Sequence, residues 1–364
     1  MNILMIGRAT LFSHPGGDTV QIIKTAEYLN KTNSVRVDVK TVSEEVNYKD
    51  FDLLHLFNIS RPSDSLGIIK KAKLPYVLST IFVDFSEAEA NHFSFSRRIL
   101  KKIFGIDNIE YLKTLGRISK RQDKLTDYKY FFLGQKKSIT KILKNAKLLL
   151  PNSNNEYHRL LKCYGIKQKY KVIPNAIDIE IFSDKKGTDK KYEIFTDSII
   201  CVGQITPIKN QLNLIKALNN TNYKVFIIGS PSSNAKRYFR KCQKIAADNI
   251  NFIPYVKQDE LSKIYSKAKV HVLTSWFETT GLVSLEAAYS GCNIVITNKG
   301  DQYEYFNDHA FYCDPNCPLS ILEAVNKAFK AKFNHMLKRK IESNFTWEMT
   351  AKKTHEAYLA STQL

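Results

Sequence analysis

The sequence predicts an α/β protein built from two parallel-sheet domains in tandem. Three observations carry that prediction. Short apolar or β-branched runs alternate with longer helical or loop stretches, the pattern of parallel strands covered by helices. Between Val172 and Phe182 the alternation is broken by Pro174, Asn175 and Asp178, and it then begins again. With 364 residues the chain has room for two domains of about 150 residues each.

Asn2 to Ile6 is a buried-strand run that leads through Gly7, Pro15, Gly16 and Gly17 into a helical pattern from about Thr19 to Leu29. Val35 to Thr41, Leu53 to Phe57, Tyr76 to Thr80 and Lys147 to Leu150 repeat the strand signal. The segment VIPNAIDIEIF and the polar tract Ser183 to Lys191 read as the linker. A second series follows at Ser198 to Val202, Lys224 to Ile228, Ile250 to Ile253, Val270 to Leu273 and Asn293 to Ile296. No low-complexity stretch or short repeat is present, which argues against a solenoid. Two halves of this kind are expected to bind ligands in a cleft at the carboxyl ends of their strands.

Hydrophobic residues make up 43% of the chain and charged residues 25%, which excludes a largely disordered or fibrous protein. No run approaches the ~18 apolar residues of a membrane span, and MNILMIGRA is too short for a secretory leader, so a cytoplasmic protein is expected. Cysteines 163, 201, 242, 292, 313 and 317 read as free thiols in that compartment. Cys313 and Cys317 have no second pair at a zinc spacing. Lys and Arg number 55 against 35 Asp and Glu, and a net charge of +20 calls for an anionic partner. From Arg97 to Lys147 fifteen basic residues face four acidic ones, a net of +11 that is more than half the total.

The segment richest in chemistry is SWFETTGLVSLEAAYSG, residues 275–291, with Glu278 and Glu286 eight positions apart. Leu282 to Tyr289 is a helix former opened by Thr279, Thr280 and Gly281. Free amides at Gly281, Leu282 and Val283 would suit an anionic diphosphate, and Glu286 would face the same ligand about one turn inside. Two glutamates at this spacing are, by themselves, also an ordinary pair of helix-surface charges.

In context the segment resembles the E-x7-E signature of the retaining glycosyltransferases of family 4, which have the GT-B fold: two Rossmann-like parallel-sheet domains facing a cleft, with a C-terminal helix crossing back to the first. CVGQITPIKNQLNLIKA, residues 201–217, resembles the start of that family's second domain, and HPGGDTVQIIKTAEYL resembles its first glycine loop. Gly229, Pro254 to Val256 and Glu304 in KGDQYEYF resemble later landmarks, VIPNAID the interdomain segment, and FTWEMTAKKTHEAYL the returning helix. The domains so implied are residues 1–178 for the acceptor, 179–345 for the nucleotide sugar, and 346–364 for the helix.

The resemblance also implies roles. Glu278 would approach hydroxyls of the transferred sugar, Glu286 would accept hydrogen bonds from the ribose, and Lys209 would neutralise the departing diphosphate. Gly16 and Gly17 would let backbone approach that diphosphate, and Val256 would lie in the turn that contacts the base. No cofactor or metal is implied, the donor being a UDP- or GDP-sugar. The sequence departs from the family at Gln204, where Arg is usual, so one expected diphosphate cation is replaced by an uncharged donor. Pro254 replaces a usual glycine. Where relatives have a first-domain histidine this chain reads STIFVDFSEAE, so no catalytic histidine is assigned, and Asp84 is either a sugar or acceptor contact or a cap.

Other motifs exclude more than they assign. There is no G-x-x-x-x-G-K-[ST] and no H-E-x-x-H. Asp50 and Asp52 form a D-x-D that leads into a strand and reads as a turn rather than a metal site. His14, His55, His92 and His271 lack ligand spacing, and His55 and His271 are expected to be satisfied core or strand-end residues. RRILKKIF sets Arg97, Arg98, Lys101 and Lys102 against Ile99, Leu100, Ile103 and Phe104, a basic amphipathic pattern that suits an anionic membrane surface or a helix packed on its own domain. Ser138 to Ala146 is expected to cover the sheet, its lysines outward.

The expected function is retaining, metal-independent sugar transfer to a glycan or polyprenyl-linked acceptor in bacterial surface-polysaccharide synthesis, O-antigen or capsule, by a cytoplasmic enzyme that could sit on the inner membrane face. No nucleic-acid partner is expected. The alternatives are a basic membrane- or nucleic-acid-binding protein on a non-catalytic shell of the same fold, and a nucleotide-sugar epimerase or phosphorylase.

Overall fold

A computed structural model describes residues 1–14, 16–32, 35–83, 95–119, 125–183 and 189–362, with only the backbone course given for 95–104 and 106. Asp84 and His92 lie outside the described residues, as do the side chains of Arg97, Arg98, Lys101 and Lys102. The chain divides into two compact units. Met1–Phe82, Phe93–Asn175 and Trp347–Leu364 belong to the first, and Ala176–Thr346 forms the body of the second.

The first unit runs β1 (Asn2–Gly7), α1 (Gly17–Lys31), β2 (Arg36–Thr41), β3 (Leu53–Phe57), α2 (Pro62–Ala72), β4 (Tyr76–Ser79), α3 (Phe95–Ser119), α4 (Lys129–Asn145), β5 (Leu148–Leu149) and α5 (Asn154–Tyr164). Its five strands lie parallel in the order β2-β1-β3-β4-β5, with Ile3 opposite both Val37 and Leu53. Successive side chains of a strand point to opposite faces. One face packs Leu4, Ile6, Leu54, Leu56 and Leu78 against Ile139, Ile142 and Leu143 of α4. The lysines of Ser138 to Ala146 stay outside, as predicted. β5 is shorter than its sequence signal because only Leu148 and Leu149 pair with β4.

Asp50 and Asp52 hold the start of β1 rather than a ligand. The Asn2 amide donates to Asp52 Oδ2 at 2.7 Å and its side chain to the Asp50 carbonyl at 3.0 Å. Glu156, fully buried, ties together the ends of β4 and β5 by accepting from the amides of Phe82 at 2.8 Å and Asn152 at 2.9 Å, and from the Thr80 hydroxyl.

The second unit runs α6 (Ile179–Phe182), β6 (Ile199–Val202), α7 (Gln211–Leu218), β7 (Val225–Ile228), α8 (Lys236–Ile245), β8 (Ile250–Ile253), α9 (Gln258–Lys267), β9 (Val270–Leu273), α10 (Leu282–Tyr289), β10 (Asn293–Thr297), α11 (Gln302–Phe306), β11 (Phe311–Cys313), α12 (Pro318–Lys330) and α13 (His335–Asn344). Its six parallel strands take the order β11-β10-β9-β6-β7-β8. Ile200, Val202, Phe226 and Ile228 enter one core, while Ile199, Cys201, Val225 and Ile227 enter the other. Burial on both faces explains why these strands read as unbroken apolar runs. β11 has no such signal, being three residues long, and is a strand only because it pairs with β10 from Val295↔Phe311 to Thr297↔Cys313.

The last helix, α14 (Trp347–Thr362), belongs to the first unit and packs on α1. Its Tyr358 hydroxyl lies 2.7 Å from His55 Nδ1, and Ser79 Oγ lies 2.8 Å from Nε2. Burial depresses the His55 pKa to about 3, so the ring is neutral. A neutral imidazole donates from one nitrogen and accepts at the other, and the two hydroxyls can adapt to either tautomer. His55 is therefore the satisfied core histidine that its strand position predicts. Tyr358→Phe should leave one buried ring nitrogen without its partner and lower the unfolding free energy by about 1–3 kcal/mol in a denaturant titration. An unchanged midpoint would show that the hydroxyl holds nothing.

Candidate functional site

The predicted residues of the second unit gather on the loops that leave the carboxyl ends of its strands. After β6 the chain turns at Gly203, with φ +147°, and β7 ends at Gly229, with φ +146°. A Cβ on Gly229 would fall 2.1 Å from the Gly203 carbonyl oxygen, so only glycine permits this approach. Gln211 of α7 shapes the intervening loop: its Nε2 donates to the Gln204 carbonyl at 3.1 Å and its Oε1 accepts from the Thr206 amide at 3.3 Å. The Gln204 side chain is exposed.

Lys209 is aimed by its neighbour. Asn210 is buried in a left-handed conformation, φ +59°, and its Nδ2 donates to the carbonyls of Thr274 at 3.2 Å and Pro315 at 2.7 Å. The Trp276 amide donates to the Ile208 carbonyl at 2.9 Å. These bonds lock the loop after β6 to the loop after β9. Lys209 then reaches Glu278 Oε1, which also accepts from Ser275 Oγ at 2.6 Å. Both contacts fall on one oxygen, which leaves Oε2 for another donor.

The Glu278 backbone is fixed as well. Its amide faces the Lys299 carbonyl at 3.4 Å and its carbonyl accepts from the Asp301 amide at 2.8 Å. A Cβ on Gly300, φ +81°, would lie 2.0 Å from the Glu278 oxygen. Nearby, Trp276, Lys299 and Tyr312 help to line an open polar cavity of 620 Å³ at the carboxyl ends of β10 and β11.

α10 starts at Gly281, φ +72°, where a side chain would meet Gln302 Nε2 at 2.8 Å. The first-turn amides of Leu282 and Val283 have no intrahelical acceptor, and both residues are partly exposed. Glu286, one turn on, is 6% exposed and accepts from Gln258 Nε2 of α9 at 3.2 Å. Burial raises its pKa to about 7 against the pull of Gln258 and the Tyr265 hydroxyl. The two glutamates therefore differ: one is ion-paired, and the other is a buried acid near neutrality.

Gly281, Leu282, Val283, Glu278, Glu286, Lys209, Gln204 and Val256 all belong to the second unit, with Val256 partly buried after β8. Gly16 and Gly17 belong to the first. Gly16 caps α1 in an extended conformation, and a Cβ on Gly17 would meet nothing within 4 Å. The glycine loop is clamped by Arg8, whose guanidinium donates to Asp18 at 2.7 Å and to the His14 carbonyl at 2.6 Å.

His271 departs from expectation. It is wholly buried and held neutral, its pKa lowered to about 3 by burial first and by Lys209 second. Neither ring nitrogen finds a hydrogen-bond partner among the described residues, and the Tyr265 ring lies edge-on to it at 6.0 Å. Sequence reasoning missed Asn210 and Gln258, whose partners lie far along the chain, and Ser275 and Gln211, whose partners are within seven residues but are reached only through the conformation of their loops. It also missed Tyr255, 73% exposed in the turn before Val256, which the apolar-strand signal ahead of it could have flagged as a loop aromatic.

Residues 178–344 match the family described as glycosyl transferases group 1. Among curated relatives, a D-inositol 3-phosphate glycosyltransferase of Kribbella flavida is 25% identical over 253 residues, 61% of this chain and 58% of the relative. The aligned parts span 54% to 58% of the lengths of this and two further relatives, a little over half. Sucrose-phosphate synthase of Thermosynechococcus elongatus is 14% identical, with a TM-score of 0.74 over 98% of both chains. Anabaena HepE, solved with UDP-glucose, is 15% identical, with a TM-score of 0.70 over 99% of this chain and 100% of the other. This likeness establishes the fold, two Rossmann-like units of the GT-B type.

The Glu286 pKa sets a stability test. Because the folded value lies above the ordinary 4.5, the stabilisation is complete below about 4.5 and is lost as pH rises through about 7. Glu286→Gln cannot ionise, so its melting temperature should gain on the wild type across that window and level off above it. Parallel melting curves at all pH values would place the buried acid elsewhere.

Proposed function

We propose that this chain is a glycosyltransferase of group 1 that moves a sugar from a nucleotide-diphosphate donor to an acceptor hydroxyl, with retention at the anomeric carbon and without a metal. The observation that carries the reading is the placement of Glu278 and Glu286 on either side of the amide end of α10, with Lys209 on the first. Glu286 takes the ribose hydroxyls. The amides of Leu282 and Val283 and the Lys209 ammonium take the diphosphate. Glu278 Oε2 takes a sugar hydroxyl. Gly16 and Gly17 give a substrate phosphate close access to first-unit backbone, and Val256, with Tyr255 beside it, forms the edge of the base site.

In the reaction the anomeric C–O bond breaks with oxocarbenium character and its electrons leave on the diphosphate. The acceptor oxygen attacks the same face while its proton passes to a leaving-group oxygen. Fixed amides and an ammonium aimed at that developing charge supply the stabilisation. Lys209 bonds only Glu278 among the described residues, so it keeps two N–H donors for phosphate. Gln204 adds a neutral donor where a cation would add more. The proposed acceptor is a glycan or polyprenyl-linked oligosaccharide of surface-polysaccharide synthesis, met at the inner membrane face. The name of the inositol-phosphate relatives favours a second reading, a small phosphorylated polyol, which the +20 charge also suits.

Melting purified protein with UDP, GDP, CDP and ADP and then their sugar conjugates, without metal, tests the donor. A ligand at a hundredfold excess over its Kd adds about 2.7 kcal/mol of stability. One base should shift the melting temperature clearly; no shift with any of them would remove the donor reading. Lys209→Ala and Glu286→Ala should each lower turnover by about 10²–10³-fold, the cost of losing one electrostatic contact. Gln204→Arg should raise it several-fold. Because ribose hydroxyls donate to a carboxylate, donor binding should release a proton below about pH 7, tighten as pH rises to that value and level off above it. Product with inverted anomeric configuration, read by NMR, would defeat the retaining mechanism.

A further inference from the structure

In the first unit, the turn that opens α4 displays its aromatic residues outward. Tyr128, Phe131 and Phe132 are 77%, 43% and 88% exposed, and Leu112 of α3 is 56% exposed. The exposure is built in. Tyr130, in the middle of the turn, is fully buried and donates to Gln135 Oε1 at 2.7 Å, and Gln135 donates to the Ser60 carbonyl at 2.9 Å. The Tyr111 hydroxyl holds the Phe131 carbonyl at 3.1 Å, and Gly134, φ +66°, separates the turn from the rest of the helix. One ring is anchored and the others are presented on a fixed backbone. Soluble proteins seldom leave large apolar side chains clustered in this way without a partner.

Beside the turn, α2 and α4 enclose an apolar cavity of 330 Å³ floored by Leu66, Ile69, Leu133 and Ile142. Lys70, Lys129 and Lys141 stand at its edge with Asp127 as the one acidic liner. Lys71 and Lys73, at the end of α2, and Lys136 and Lys137, on α4, are exposed as well. Among the described residues from 105 to 147, eight Lys and Arg face three Asp and Glu. Apolar side chains ringed by lysines complement one kind of surface, the face of a bilayer with anionic head groups. Duplex nucleic acid would meet the lysines but, with its bases stacked inside, offers nothing to Phe132, and no nucleic acid has alkyl chains to fill the apolar floor.

We propose that the turn 128–133 and the cavity beside it dock this protein on an anionic lipid bilayer, the aromatic rings entering the interface and the lysines facing the head groups. Among the described residues no helix is long and apolar enough to cross a membrane, so the contact is with the surface. The inference deepens the acceptor reading, because a polyprenyl-linked acceptor is held at such a surface. It stands on first-unit residues alone.

Co-sedimentation of the full chain with phosphatidylcholine vesicles, with and without phosphatidylglycerol, tests it. The wild type should bind only the anionic vesicles. Y128S/F132S and K129E/K141E should each weaken binding at least about tenfold, while Leu319→Ser, which removes a similarly exposed leucine from the second unit, should not. The chain has two tryptophans, both buried, so in Phe132→Trp a blue shift of the emission on adding vesicles reports insertion. Melting curves with the nucleotide panel, run on the same variants, should match the wild type, which separates failure of docking from failure of donor binding. Undiminished vesicle binding by Y128S/F132S, an emission spectrum of Phe132→Trp that vesicles leave unshifted, or loss of duplex DNA binding in place of vesicle binding would overturn the proposal.

Discussion

In the second unit the loops that leave β6, β9 and β10 depend on one another through Glu278. Its carboxylate accepts from Lys209 on the first loop and Ser275 on the second, and its backbone is bridged to Gly300 on the third. The arrangement is reinforced by neutral bonds that bypass the charge, from Asn210 to the Thr274 carbonyl and from Thr297 Oγ1 to the Ser275 carbonyl at 2.7 Å. A partly buried ion pair alone is weak grounds for stability, since desolvation offsets much of its attraction. What the pair adds is geometry: with its neighbours fixed on three sides, Lys209 has few positions open to it. A preorganised cation is worth more to a developing charge than one that must be ordered during the reaction.

Glu286 shows how the same side chain becomes a different group. Glu278 and Glu286 are both buried, but Glu278 meets a cation and a hydroxyl while Glu286 has the neutral Gln258 amide as its donor. Burial without a counter-charge pushes its carboxyl up to about 7, where a small change in surroundings shifts its proton. Two glutamates eight residues apart thus differ in their partners, a lysine and a serine for one and a neutral amide for the other, by environment rather than by residue type.

The first unit follows a parallel logic with neutral groups. His55, Tyr358 and Ser79 satisfy one another beneath α14, so the last helix is attached by matched polarity as well as by apolar packing. Glu156 fixes the ends of two strands, and Arg8 closes the glycine loop onto Asp18. Rigid buried polar clusters of this kind leave the outward surface free to be set by other needs. The aromatic turn at Tyr128 to Phe132 is held from within by Tyr130 in the same manner.

The sequence by itself determined most strands, because a strand buried on both faces must be an apolar run; of the eleven among the described residues ten carry a strand signal, β2 at its sheet edge by the alternation of Val37 and Val39 with Arg36, Asp38 and Lys40. It also determined the E-x7-E segment and its helix, since a glycine, a start signal and a strong helix former are local facts. Only the tertiary structure decided that β11 is a strand, because three residues acquire that state from a neighbour. Only it decided that Lys209 pairs with Glu278, that Gln211 and Asn210 shape the loop between them, and that His271 lies in the core with its nitrogens unmet. The Lys209 and Asn210 contacts join groups more than sixty residues apart along the chain, and the local Gln211 bonds depend on a loop conformation that residue pattern alone does not encode. The same limit hid the aromatic turn: in sequence Tyr128 to Phe132 looks like any apolar helix start, and only packing reveals that one ring goes inward and the others stay out.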